Sequence, residues 1–235
     1  DLEIPEMQGL DTMKKIRKGW HNTDVVIITR RFEGHVDEIV GALELGAIDF
    51  VPKPVKEKEN TVQEFRLRLL PLIGLLRSRR SFQKASIGSR DTTEDEGNHH
   101  PGKMTIPNYF DRKFPSAAST SRRSSGIPPR IEVVAIAVST GGPNALAKVI
   151  PRLPGSLSVP VLIVQHMPCS FTASLAGSLN AKSAIQVREA ADGEVILPNI
   201  AYIAPGGIHM TARAERTRNN SVQKCIRLNN DPPEN

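Results

Sequence analysis

Two apolar segments of this chain each end in a side chain of catalytic type. Residues 131–138 are followed by Ser139, and residues 159–164 are followed closely by His166. We interpret both segments as buried strands of a parallel sheet, in which the carboxyl ends of the strands share one ligand-binding edge. A hydroxyl and an imidazole that meet at this edge would act as a nucleophile and its general base. The pattern predicts a hydrolytic Ser139–His166 pair that is assembled by the fold.

The turn after the serine would support this chemistry. Thr140, Gly141 and Gly142 directly follow Ser139, and glycine lets a backbone turn sharply and approach a substrate closely. Backbone N–H groups of this turn, at the start of the next helix, would stabilise a tetrahedral oxyanion. Two alternatives stay open. Such a turn can cradle a phosphate without catalysis, and a histidine at a strand end can be a satisfied core residue.

The elements that must position these residues follow from periodicity and from turn signals. In the first region we predict helices over 9–18 and 36–46, strands over 24–29 and 48–51, and an amphipathic stretch over 61–76 that kinks or breaks at Pro71. In the second region we predict helices over 143–153 and 171–179 and further strands over 185–187 and 201–204. After Thr211 the chain is charged and rich in Asn, and we predict no element there.

Residues 81–130 separate the two regions and differ from both in composition. Ser, Thr, Arg, Gly, Asp and Pro dominate, and nothing is periodic, so we predict a flexible linker. The pair His99-His100 lies there without cysteine or carboxylate ligands at metal-binding spacing. We therefore predict no metal site.

Composition excludes several other classes of protein. The 235 residues carry a formal charge of +6, but the basic clusters lie outside the predicted sheets and no nucleic-acid motif is present. We expect no nucleic-acid partner and rank nucleic-acid binding last among the possible functions. Cys169 and Cys225 form no disulfide framework. The longest apolar run is shorter than the ~18 residues that a membrane span needs, and no signal segment opens the chain. We expect a cytoplasmic protein without membrane insertion.

Several features of the first region resemble the receiver domains of response regulators. They are the leading segment 1–10, Thr29 at the end of a strand, and the segment 42–54 with its Lys-Pro pair. The resemblance implies that Asp1 accepts a phosphoryl group from a histidine kinase, and that Thr29 and Lys53 support the phosphoryl site. A carboxylate, a hydroxyl and an ammonium group at strand ends can surround a phosphoryl anion.

The same resemblance implies that Mg²⁺ takes part in phosphorylation, because the metal neutralises charge on the transferring group. The acidic pair that holds the metal in receiver domains normally follows the first strand, and it is absent from these residues. We therefore expect that the first two strands of a receiver fold are missing and that the chain as written is not phosphorylated.

The second region resembles the catalytic domain of the chemotaxis protein-glutamate methylesterases, the CheB family. The segments that carry the resemblance are 138–143, 165–168, 189–194 and 201–210. It implies that Ser139 is the nucleophile and His166 the general base. It also implies hydrolysis of glutamyl methyl esters, with a related glutamine deamidation, on the cytoplasmic helices of methylated chemoreceptors, without a cofactor. The third catalytic carboxylate of the family is expected beyond Asn235, so we expect a chain that is truncated at both ends.

The fold class expected is α/β. Residues 1–80 would form a partial receiver-like doubly wound parallel sheet, residues 81–130 the linker, and residues 131–235 an incomplete α/β parallel-sheet methylesterase domain. The predicted function is a methylesterase that a receiver module controls. The alternative is a degenerate, non-catalytic fragment of a two-component signalling protein, which the missing carboxylates motivate.

Overall fold

A computed structural model describes the protein over residues 3–4, 7–20, 22–29, 34–54, 61–87, 131–216 and 219–230. The chain divides into two compact units. One joins residues 1–78 with residues 131–235, and the other comprises residues 79–130. The two regions that carry the predicted sites therefore belong to the same unit. The boundaries of the predicted domains stay predictions, and His99-His100 and Asp1 lie outside the described residues.

The first region alternates strands and helices. Its elements are β1 (Glu3–Ile4), β2 (Met7–Gln8), α1 (Gly9–Gly19), β3 (Val26–Thr29), α2 (Val36–Glu44), β4 (Asp49–Pro52) and α3 (Thr61–Ile87). β3 and β4 pair in parallel, with Thr29 opposite Pro52, whereas β1 and β2 pair antiparallel. The crossover helix α2 buries Ile39, Val40 and Leu43, which share one helical face.

α3 differs from its prediction in two ways. The helix continues through Pro71, so the break that we considered there is absent. A proline within a helix removes one backbone hydrogen bond, and the helix nevertheless continues on both sides of Pro71. α3 also extends to Ile87, past residue 81, at which the predicted linker begins. Adding residues to an existing helix is far less costly than nucleating one.

The second region contains a parallel sheet of four strands. Its elements are β5 (Val134–Val138), α4 (Gly142–Val149), β6 (Val161–Gln165), α5 (Cys169–Asn180), β7 (Gln186–Glu189) and β8 (Ile200–Ile203), and a short 3₁₀ helix at Ile150–Arg152 follows α4. The strand order is β5-β6-β8-β7, and all neighbours run parallel. The α/β fold class with parallel sheets is confirmed.

One strand is less buried than its sequence predicts. Residues 131–138 form a nearly continuous apolar run, but most of β5 is exposed or half-buried, and Val134 is 37% exposed. Among the described strands, β5 lies at the edge of its sheet and pairs only with β6. Apolar composition reports the tendency of a strand to be buried, and what covers it depends on its place in the sheet.

A hairpin closes the described part of the chain, where we predicted no element. β9 (His209–Arg216) and β10 (Val222–Asn229) pair antiparallel over their full length. Asp192 attaches the hairpin to the sheet because its Oδ1 accepts the Leu228 N–H at 2.8 Å. Arg227 donates from Nε to Glu215 at 2.6 Å and pairs with Asp192 at 3.4 Å. These contacts stabilise strands whose own pattern is mostly polar.

One hydrophobic core joins the two regions. It extends from Met13 and Ile39 in the first region to Leu146 and Ile203 in the second, and α2 packs against both α4 and α5. Within the described residues, no helix has both the length and the apolar character needed to cross a bilayer. Helix α2 of the first region is thereby held against α4 and α5 of the second.

Candidate active site

The carboxyl ends of β5 and β6 bring Ser139 and His166 together. The two strands pair with Val138 opposite Gln165, and the His166 N–H continues the ladder by donating to the Val138 carbonyl at 3.0 Å. Ser139 Oγ lies 3.4 Å from His166 Nδ1. Both residues are exposed, so the alternative in which His166 is a satisfied core residue does not describe this histidine. The pair has the spacing of a nucleophile and a base before substrate binds.

The turn after Ser139 has a defined geometry. The Gly142 N–H donates to the Ser139 carbonyl at 2.7 Å, which closes a four-residue turn. Gly141 has φ 76° and ψ 0°, the values of the third residue of a type II turn, where glycine is favoured. Gly141 is also the N-cap of α4, with Pro143 in the first turn of the helix. The backbone N–H groups of this turn therefore lie at the positive end of a helix dipole.

Gln165 connects the turn after Ser139 with the loop after His166. Its side chain is buried, and Nε2 donates to the Ser139 carbonyl at 3.1 Å and to the His166 carbonyl at 3.2 Å. Oε1 is buried without a hydrogen-bond partner among the described residues. A Cβ atom at Gly142 would lie 1.9 Å from this oxygen. The side chain thus occupies the space that the glycine leaves.

The loop after His166 is fixed by a second close contact. A Cβ atom at Gly206 would lie 2.2 Å from the Met167 carbonyl oxygen, so only glycine fits there. The Gly206 N–H donates to Thr172 Oγ1 at 3.2 Å, and the Thr172 hydroxyl contacts Glu189. Helix α5, strand β7 and the loop after β8 are joined at the rim of the site by these bonds.

The first region covers the same site. The Gly141 N–H donates to the Ile48 carbonyl at 3.1 Å, and the Thr140 hydroxyl donates to Asp49 Oδ2 at 3.2 Å. Beside them Phe50 stacks on Phe171, with ring centroids 4.8 Å apart and an angle of 18° between the ring planes.

A cavity of about 720 Å³ lies between the two regions. Ser139 and His166 line it together with Asp49 and with Leu67 and Pro71 of α3. The catalytic-type pair therefore opens into a space of which the first region forms one wall.

The predicted phosphoryl site is only partly described. Thr29 is fully buried at the end of β3, and the Lys53 N–H donates to its carbonyl at 2.7 Å, so the two residues are neighbours. Among the described residues no cluster of three or more His, Cys, Asp or Glu side chains could hold a metal ion. Thr29 and Lys53 supply no carboxylate for Mg²⁺, and the metal requirement stays a prediction.

Sequence reasoning gave no role to several residues that shape the site. Gln165 stands directly before His166, and a polar residue at the end of an apolar strand is a detectable signal. Asp49 and Ile48 carry no such signal, because their contacts with Thr140 and Gly141 join residues about 90 positions apart. Cys169 and Cys225 are both free thiols.

These features define the class of protein. It is a parallel α/β protein in which a hydroxyl–imidazole pair, followed by a glycine turn at a helix N-terminus, lies beneath a smaller βα module.

Comparisons with known proteins agree with this class. Residues 134–232 match the family model "CheB methylesterase", and residues 1–63 match "Response regulator receiver domain". A "Protein-glutamate methylesterase/protein-glutamine glutaminase" of Desulfotalea psychrophila is 37% identical over 100% of this chain and 60% of its own length. A protein of the same name from Treponema denticola is 37% identical over 89% of the chain and 55% of its own length.

A solved structure is also similar to part of the chain. The crystal structure of the Thermotoga maritima CheB methylesterase catalytic domain is 39% identical, with a TM-score of 0.40, over 44% of this chain and 52% of that one.

The chain therefore contains a domain of the CheB methylesterase family over residues 134–232 and a response regulator receiver domain over residues 1–63. It spans 60% or less of the length of the Desulfotalea and Treponema relatives.

Proposed function

We propose that the protein is a hydrolase that removes methyl groups from glutamyl γ-methyl esters on the cytoplasmic helices of chemoreceptors, and that it deamidates glutamine at such positions. One observation carries this proposal: Ser139 Oγ lies 3.4 Å from His166 Nδ1 beside the Gly141 turn. The names of the relatives support a methylesterase and glutaminase over a non-catalytic signalling fragment.

The reaction begins from the Ser139 hydroxyl and the His166 imidazole where the two strand ends place them. With the neutral imidazole protonated at Nε2, Nδ1 accepts the Ser139 proton while Oγ attacks the ester carbonyl. The tetrahedral oxyanion is stabilised by N–H groups of the Thr140–Gly142 turn. His166 returns the proton to the departing methoxide, so methanol leaves. Water then hydrolyses the acyl-enzyme and frees the glutamate carboxylate. In deamidation ammonia leaves in the place of methanol.

The receiver module controls access to this site. Gly141 donates its N–H to Ile48, and Gly142 donates its N–H to Ser139. In this arrangement two N–H groups of the turn already have acceptors. A receptor helix must also enter the cavity, and the first region forms one side of that cavity. Displacement of the Ile48–Phe50 segment would release the Gly141 donor and open the cavity, and phosphoryl transfer from a histidine kinase to the receiver module would drive it.

The nucleophile is tested in the full natural protein with methylated receptor as substrate. Ser139→Ala should lower methanol release by at least about 10³-fold, because an activated nucleophile and its base act as one unit. Ser156→Ala, which removes an exposed hydroxyl from a loop, serves as the matched control and should release methanol at the normal rate. Undiminished release by Ser139→Ala would contradict the proposal.

A further inference from the structure

The side-chain amide of Gln165 makes contacts that its place in the sequence does not explain. It is the last residue of β6 and is 5% exposed. Both of its N–H bonds are used, one on the carbonyl of Ser139 and one on the carbonyl of His166. Because both acceptors are carbonyl oxygens, the NH₂ end of the amide must face them. The amide therefore joins the main chains of the two residues that carry the chemistry.

The carbonyl end of the same amide meets the catalytic turn. Oε1 has no hydrogen-bond partner within the described ranges, and it lies where a Cβ atom of Gly142 would be, at 1.9 Å. The φ of Gly142 is not in the left-handed range, in contrast to that of Gly141 at +76°. Space, rather than backbone conformation, thus requires glycine at position 142. A buried oxygen without a partner is costly, so its retention needs a reason beyond packing.

We propose that Gln165 is a positioning residue of the esterase, which sets the separation of the Ser139 hydroxyl and the His166 ring by holding both main chains. The inference rests on the proposed methylesterase function and deepens it. The Ser139 carbonyl accepts from both Gly142 N at 2.7 Å and Gln165 Nε2 at 3.1 Å. Loss of the second donor would leave the turn attached to the strand ends by fewer bonds, and the hydroxyl would drift from the base.

Two substitutions in the full natural protein test the role. Gln165→Met keeps the length of the side chain but donates no hydrogen bond, and Gln165→Glu keeps the shape but places acceptors against two carbonyls. Each should lower kcat for methanol release by about 10- to 100-fold, since a displacement of about 1 Å between reacting groups can cost 10²-fold. KM should stay within about twofold, because the side chain is only 5% exposed and both of its N–H groups are used on the two main-chain carbonyls.

A second measurement separates positioning from general loss of structure. A small phosphonate ester labels an activated serine without any receptor, so its rate reports the Ser139–His166 geometry directly. Both Gln165 variants should be labelled more slowly by the same factor as kcat. The control is Ile163→Ala, a fully buried change in the same strand, which should lower the melting temperature and leave the labelling rate of the folded protein unchanged.

The contact with Gly142 gives an independent test by a double-mutant cycle. Gly142→Ala should strongly lower the melting temperature, because the new Cβ meets Oε1. In a Gln165→Ser background that oxygen is gone, and the same substitution should cost clearly less. Equal costs in both backgrounds would show that Gln165 does not confine this glycine and would contradict the contact.

The possible failures are distinguishable. If Ser139→Ala keeps normal methanol release, the esterase proposal is wrong whatever Gln165 does. If Ser139→Ala abolishes release while Gln165→Met and Gln165→Glu are folded and keep normal kcat and labelling rates, only the positioning role is overturned. A similar loss of labelling in Ile163→Ala and in the Gln165 variants would also overturn it, because a general loss of structure would then explain both.

Discussion

The two parallel sheets of the molecule both end in a hydroxyl side chain, but one hydroxyl is buried and the other is accessible. Thr29 closes β3 and is fully buried, whereas Ser139 comes directly after β5, is exposed and lines the large cavity. The position at the carboxyl edge of a sheet is the same in both cases. What adjoins the two residues differs, because the Thr29 carbonyl accepts the Lys53 N–H, whereas Ser139 is followed by the Gly141 turn.

The end of a strand thus selects a candidate site, and the surrounding fold decides whether its side chain is accessible. β4 in addition serves both sites. Ile48 and Asp49 at its amino end contact the catalytic turn, while Lys53 at its carboxyl end adjoins Thr29. At about 3.3 Å per residue, the two ends are only about 13 Å apart. The short strand β4 therefore separates the predicted phosphoryl site from the Ile48–Phe50 segment beside the proposed esterase site.

The largest effect on the boundary between the two regions is expected from removing the stacking contact between Phe50 and Phe171. Phe50→Ala removes the ring that stacks on Phe171 and should destabilise the protein by about 3 kcal/mol, as is typical for truncation of a buried phenylalanine. Methanol release without phosphorylation should increase, because the Ile48–Phe50 segment loses its anchor. Urea denaturation and a basal esterase assay measure the two effects.

The control for this prediction is Ile27→Ala, a buried change in the partner strand β3. It destabilises the same small sheet, and Phe50 keeps its ring. An equal rise of basal release in both variants would indicate that loss of the whole receiver module, and not loss of the stacking contact, frees the site.

A smaller effect is expected at the polar part of the boundary between the regions. Lys182 Nζ lies 2.6 Å from Glu44 Oε2, and the Glu44 side chain is only 6% exposed. Among the described residues, Lys182→Met leaves this carboxylate with the Ser178 hydroxyl as its donor. Because Lys182 is half-exposed, the loss should cost about 1.5 kcal/mol, the lower end of the range for a hydrogen bond to a charged group. Thermal denaturation should show no such loss for Lys148→Met, an exposed lysine of α4. Equal melting temperatures of Lys182→Met and the wild type would contradict the prediction.

The smallest effect concerns the hairpin, away from both hydroxyls. The backbone N–H of Leu228, assisted by the charge of Arg227, holds the pKa of Asp192 below its ordinary value of 3.8. The unfolded state therefore binds the proton first, and the stability from this group is complete above pH 3.8 and lost as pH falls through the lowered pKa. Asp192→Asn should remove this part of the acid dependence. The free energy of unfolding should be measured from pH 5 to pH 2.5 for the wild type and for Asp192→Asn. The same dependence on pH in both proteins would contradict the prediction.

Much of the architecture is predictable from local pattern. The strands predicted over 24–29, 48–51 and 159–164 correspond to β3, β4 and β6, because short apolar runs between turn signals suit buried parallel strands. The same pattern does not predict the hairpin of β9 and β10, because its residues are mostly polar. Its stability comes from cross-strand pairing and from attachment to Asp192, which no local period reports.

Local sequence was enough to establish which side chains end each strand, that a glycine turn comes after Ser139, and that the two regions resemble a receiver and an esterase. The folded arrangement was needed to show that β5 is exposed, that the Ile48–Phe50 segment caps the turn, and that one amide holds both loops. The physical reason is range. Helix and strand patterns arise from interactions between residues a few positions apart, whereas the Thr140–Asp49 bond joins residues 91 positions apart. Contacts of that kind exist only after the chain has folded.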